Sequence, residues 1–312
     1  MKSLIAIVKP NSSSVLILML LAHSGHGLSQ TAKAPVEVSF EFIHNQIVLP
    51  VKIGGKGPFN MLLDTDTDPS AIDTATAREL GLQVGSRGAP ASGGGTKTNT
   101  VYPTKLPSVE LGNITARDVS AATVDLTKLA NRIGKPIHGV LGYSFLKDRI
   151  VQIDYPNSKL RFYVDPPYPG ILAAPNMVNR IAFPLRREDG VVIIDSVFIN
   201  GEKMKATLDT GSSGTFTLTP EAVVTLGLEE QARDGQSEGS VGYNGEYEHK
   251  VGILKSVRMG RLAIDSAQAT FWLPGSGHDK KNFQVNIGNG FFQDFVMTFD
   301  FRNKVVVFEK VD

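Results

Sequence analysis

TLDTGSSGT, residues 207–215, closes an apolar run, and LLDTDTDPS, residues 62–70, closes another. Aligned on Leu-Asp-Thr, the two stretches lie 145 residues apart. Working outward, Leu80-Gly81-Leu82 matches Leu226-Gly227-Leu228, and Val109-Glu110-Leu111-Gly112 matches Val257-Arg258-Met259-Gly260. Leu141-Gly142 matches Ile287-Gly288, Ile153-Asp154-Tyr155 matches Phe299-Asp300-Phe301, and Leu160-Arg161-Phe162 matches Val306-Val307-Phe308. One such match is chance. Six in the same order at nearly constant spacing indicate an internal duplication.

The copies are expected at 36–164 and 179–312, joined by a linker at 165–178. Four prolines in DPPYPGILAAPN (165–176) exclude a regular element there. Each copy reads mostly as strand. IVLPVKI (47–53) and VVIIDSVFI (191–199) are apolar and β-branched, and each is followed by a turn, GGKG or NGEK. A short helix follows each Asp-Thr stretch. Thr219 caps one, with Pro220 at its first position; Asp73 or Thr74 caps the other. Each copy ends in an aromatic-rich strand pair, IVQIDY with KLRFYV and FVMTFDF with VVVFEK.

Composition narrows the function. The 312 residues are 41% hydrophobic and 20% charged, with net charge +1 and no Lys/Arg run beyond Lys280-Lys281, so nucleic acid is not an expected partner. There is no Cys, which excludes disulfides, thiolate catalysis and a lipidated cysteine. Residues 1–30 carry Lys2 and Lys9 ahead of VLILMLLA (15–22) and small residues, the pattern of an export signal. Cleavage is expected near Ala22-His23-Ser24 or Gly27-Leu28-Ser29. The apolar run is short for a membrane span, so a periplasmic or secreted protein with no stable span is expected, an uncleaved anchor being the alternative.

Asp209-Thr210-Gly211, the paired Asp64-Thr65, and the Ile287-Gly288 and Leu141-Gly142 that follow about 80 residues later together resemble the aspartic peptidases. The likeness is to the retropepsin-like group and its pepsin-like two-lobed relatives, over nearly the whole chain after residue 30. The resemblance implies an all-β, two-lobed fold, each lobe a closed β-barrel with short helices. It implies an aspartic endopeptidase with Asp64 and Asp209 as its dyad, a peptide or protein substrate, no cofactor and a monomer. In such a dyad two adjacent carboxyls share one proton, so one activates water as a base while the other protonates the carbonyl. Thr65 and Thr210 are implied to cross-brace the two loops. Thr67 and Ser212 are implied to steady the outer carboxylate oxygens.

One position departs from the pattern. Gly211 is the family glycine, and its counterpart is Asp66. An inward third carboxylate at about 4 Å would cost roughly 4 kcal/mol at an effective dielectric near 20; an outward one would spare the dyad. The rival reading is therefore a catalytically inactive peptide-binding protein on the same fold. Pairing of the second copy with another chain is disfavoured, because its partner is already tethered.

The resemblance also implies a flap. VGYNGEYEH (241–249) has an Asn-Gly turn flanked by Tyr243 and Tyr247, with Gly245 in the turn; SGGGTKTNT (92–100) holds the matching place. Tyr243 or Tyr247 over the substrate and an exposed amphipathic hairpin are both open readings. His44, His138, His249 and His278 have no metal-ligand spacing and read as surface or turn residues, so no metal is expected. Gly142-Tyr143-Ser144 lacks the closing glycine of a serine-hydrolase elbow, and GGKGP (54–58) lacks the end of a phosphate loop.

Overall fold

Gln46–Ile53 and Val191–Ile199 form strands because their apolar side chains find cover: Ile47, Val48, Leu49, Val51 and Ile53 are buried in one, Val192, Ile193, Ile194, Val197 and Ile199 in the other. Each turns back as a hairpin. Gly54 and Gly55 take positive φ in the first turn, Asn200 (φ 52°) and Gly201 (φ 94°) in the second, the left-handed pair that a tight hairpin requires. The structure, a computed structural model, describes residues 34–91, 93–167, 176–177, 180–278 and 281–310. The expected export signal and most of the expected linker lie outside the described residues.

The two halves build the same sheet. In the first, Gln46–Ile53 pairs antiparallel with Lys56–Leu63, which runs parallel to Gly139–Leu141. Ser70–Asp73 continues the sheet, followed by the long hairpin Thr100–Leu111 and Ile114–Val124. In the second, Glu202–Asp209 runs parallel to Val285–Gly288, and Phe216–Leu218 leads on to the hairpin Gly245–Met259 and Leu262–Trp272. Each sheet has eight strands and folds over itself through one extra pairing. The short helices start where side chains cap them: Asp73 accepts from the amides of Ala75 and Thr76, and Thr219 from the amide of Ala222.

A third sheet of seven strands joins the halves, its middle formed by Ile150–Asp154 and Phe295–Asp300 paired antiparallel. Gln152 faces Thr298, its duplicate, and donates to its hydroxyl at 3.1 Å. Two equivalent residues facing each other put the local twofold relation of the halves at this pair. Asn176–Met177, inside the stretch expected to be irregular, pairs with Arg180–Pro184. Both residues follow the last proline of the run, so their amides are free to bond. One large apolar cluster runs through both halves and the shared sheet. No helix among the described residues is long and apolar enough to cross a membrane.

Candidate active site

Each Asp-Thr loop begins where its strand leaves the sheet. Strand alternation turns Leu63 and Leu208 into the core and Asp64 and Asp209 onto the opposite face. The loops then lock together. The amide of Thr65 donates to the Thr210 hydroxyl at 3.0 Å, and the amide of Thr210 donates to the Thr65 hydroxyl at 3.1 Å. Each hydroxyl donates in turn across the interface, Thr65 to the Leu208 carbonyl at 2.7 Å and Thr210 to the Leu63 carbonyl at 3.1 Å. Both threonines are buried, so four bonds that water cannot reach hold the loops in one geometry.

The two carboxyls are held differently. Asp64 Oδ1 accepts from the amides of Asp66 (2.7 Å) and Thr67 (2.9 Å), and its Oδ2 from the Thr67 hydroxyl at 2.5 Å. Asp209 Oδ1 accepts from the Gly211 amide at 2.8 Å, and its Oδ2 from Asn286 Nδ2 at 2.7 Å. The expected role of Ser212 is therefore corrected. Its hydroxyl does not bond Asp209; Asn286, on the neighbouring parallel strand, reaches that oxygen first. The sequence held a signal for this. Asn286 is a polar residue in Val-Asn-Ile-Gly, where the first copy has Gly-Val-Leu-Gly.

Burial pushes the Asp64 carboxyl above its usual range. Burial, then the charge of Asp64, pushes Asp209 up to about 7. The pair of carboxyls thus retains a proton toward neutral pH.

Gly211 lies against the first carboxyl, and a Cβ there would fall 2.3 Å from Asp64 Oδ2. Asp66, its counterpart, turns its side chain into the second half. Its Oδ1 accepts from the Val192 amide at 2.8 Å and its Oδ2 bonds the Thr207 hydroxyl. Burial, then the charge of Asp209, pushes its pKa well above the usual range. It is thus neither outside the site nor an unpartnered charge within it. Arg187 supports the same loop, bonding Asp68 at 3.1 Å and lying 3.4 Å over the Tyr143 ring.

The flap segments meet over the dyad. Ser237–Gly242 and Gly245–Met259 form the second-half hairpin, with Gly245 at φ 99° completing its turn. Its tip engages the first-half loop. The Asn244 amide donates to the Gly94 carbonyl at 2.9 Å, Lys97 N donates to the Asn244 carbonyl at 3.0 Å, and Asn99 Nδ2 donates to the Tyr243 carbonyl at 2.6 Å. The Tyr243 hydroxyl lies 3.0 Å from the Thr67 hydroxyl, and its ring packs on the first-half apolar wall. Tyr243 thus reaches the Asp64 loop, whereas Tyr247 packs beside His278 with ring centroids 5.1 Å apart.

A sequence model of one protein family, described as aspartyl protease, matches residues 49–145 and 196–290, once in each half and together more than half of the chain. The chain belongs to the aspartyl protease family. A solved structure to which this chain is similar is a retropepsin-like aspartic protease from Rickettsia conorii. The two are 22% identical over 42% of this chain and 90% of that one, with a TM-score of 0.33. No curated protein matches.

His249 and His278, expected as surface or turn residues, are both buried. His249 lies against the Ser240 hydroxyl at 3.2 Å, and His278 stacks on Trp272 at 3.7 Å. Strand pairing sets Trp272 beside His249, which local sequence does not reveal. Among the described residues, no group of three or more His, Asp or Glu is placed to hold a metal ion.

Proposed function

We propose that this aspartyl protease is an endopeptidase that hydrolyses peptide bonds through water activated by Asp64 and Asp209. The observation that carries the reading is the reciprocal Thr65–Thr210 brace beneath two buried carboxyls whose pKa values are both raised. In the hydrolytic step the ionised carboxyl takes a proton from water as it attacks the carbonyl carbon. The protonated carboxyl donates to the carbonyl oxygen, giving a gem-diol; the first carboxyl then passes its proton to the nitrogen while the second takes one back from a gem-diol hydroxyl, and the C–N bond breaks to release the amine and the acid. Thr67 and Asn286 fix the two carboxyls, and Gly211 keeps the space beside Asp64 open. An extended peptide would run beneath the flap tips by main-chain pairing, which requires the Asn244 contacts to open.

Both dyad loops belong to one chain, which supports action as a monomer. Residues 1–30 support export to the periplasm or outside the cell.

Asp66 favours a second reading, a peptide-binding protein without hydrolytic activity. The deciding experiment incubates residues 35–312 with a diverse peptide mixture from pH 3 to 8, beside an Asp209→Asn control. Products read by mass spectrometry in the native chain alone support the peptidase. A folded native chain that cleaves nothing at any pH rejects it.

A further inference from the structure

The duplication allows the two walls beside the dyad to be compared position by position. In the first half, Leu62 pairs with Val140, Val140 with Ala71, and Ala71 with Ala122. Paired residues share a face, and Leu62, two before Asp64, shares the face of that carboxyl. The row is apolar and belongs to a cluster with Val48, Leu126 and Ile137, against which Tyr243 packs.

In the second half the same row reads Thr207, Asn286, Thr217 and Thr270. Around it the wall stays apolar: Ile193, Trp272 and Phe283, the counterparts of Val48, Val124 and Ile137, cluster together. Only the floor has changed. It has become polar, and Asp66 reaches across the interface to accept from the Thr207 hydroxyl. Asn286 is 4% exposed, and its Oδ1 has no hydrogen-bond partner. A buried acceptor left unpaired is costly and calls for a donor. Burial lowers the pKa of the Lys281 amine, two residues before Phe283, and the charges of Asp209 and Asp66 offset that only in part.

We infer that the second-half wall is a subsite for a long basic side chain, Lys or Arg, while the first-half wall takes an apolar one. The aliphatic stem lies on Ile193, Trp272 and Phe283, and the cationic head donates to Asp66 and to the Asn286 side-chain carbonyl. A long cationic side chain suits such a pocket because its stem is apolar and only its tip is charged. The inference rests on the peptidase reading for the placement of substrate beside the dyad, and names its substrate class: peptides with a basic residue on one side of the cleaved bond and an apolar residue on the other.

The test uses the full chain and octapeptides whose central bond is a reduced, uncleavable amide. The central pairs are Leu-Lys, Lys-Leu, Leu-norleucine and norleucine-Leu, and binding is read by calorimetry. One lysine peptide is expected to bind at least tenfold more tightly than its norleucine counterpart. Asp66→Gly and Asn286→Val are each expected to bring that ratio within threefold. Lysine peptides that bind no better than norleucine ones, a ratio that survives both substitutions, or no binding of any peptide overturns the inference. Ordinary-amide versions are then assayed for cleavage. Lysine-selective binding without cleavage rejects the peptidase and leaves the subsite standing; cleavage without lysine selectivity rejects the subsite alone.

Discussion

Thr65 and Thr210 each donate an amide hydrogen to the other's hydroxyl, and each donates its own hydroxyl proton to the carbonyl preceding the other's aspartate. The exchange is closed, and no member has a substitute partner in solvent. Thr65→Val or Thr210→Val keeps the shape and strands buried N–H and C=O groups. Each substitution is expected to cost about 1–3 kcal/mol per orphaned group. Chemical denaturation would show a lowered midpoint, with Thr→Ser closer to wild type. A Val variant as stable as wild type would show that the brace contributes nothing.

Stability should fall as pH rises through the site. Asp209 holds its proton up to about 7 in the folded protein and loses it near the ordinary carboxyl value when unfolded. Between those values the folded state binds the extra proton, so its contribution is complete below the unfolded pKa and lost as pH climbs to about 7. Asp64 and Asp66 are raised and act in the same direction. His249, lowered by burial, acts oppositely. The melting temperature of wild type minus that of Asp209→Asn cancels the histidine and should shrink from pH 4 to pH 8. A difference that grows with pH would contradict the raised Asp209.

Asn286 lowers the Asp209 pKa by donating to its carboxylate, against the larger upward push of burial. Asn286→Val, which copies the first-half residue, removes that donor. The alkaline limb of the pH–rate profile for peptide cleavage is expected to move to higher pH. An unmoved limb, with activity retained, would mean that this bond does not tune the dyad.

The flap tips form a latch. Asn244→Ala removes the side-chain bonds to the Ala91 and Gly93 carbonyls and to the Asn99 amide. Amide hydrogen exchange is expected to quicken at 94–99 and 243–245 while the shared central sheet stays protected. Gly95→Ala should act similarly, since a Cβ there would fall 2.0 Å from the Asn244 carbonyl carbon. Unchanged exchange in both variants would rule out the latch.

The residues legible in sequence were those whose role repeats. Leu-Asp-Thr read alike in both copies, and so did the caps Asp73 and Thr219 and the left-handed Asn200-Gly201 turn, because local backbone requirements are written locally. What escaped was set by partners far along the chain. Asp66 could be flagged as a departure, but its direction depends on Val192 and Thr207, more than a hundred residues away. Asn286 escaped because a single polar residue in an apolar strand does not announce what lies opposite. Ser212 misled because its place in the motif outranked the strand that in fact supplies the donor. The burial of His249 likewise follows from Trp272, which strand register rather than sequence adjacency sets beside it.

Gln152 and Thr298 sit where the halves meet, and the same position holds an amide in one and a hydroxyl in the other. A pair of identical chains could not differ there: every substitution would appear twice, and an aspartate at position 66 would load the interface with four carboxyls in place of three. Covalent tandem linkage removes that dosage rule, so one flank of the cleft can change its chemistry while the other preserves its own.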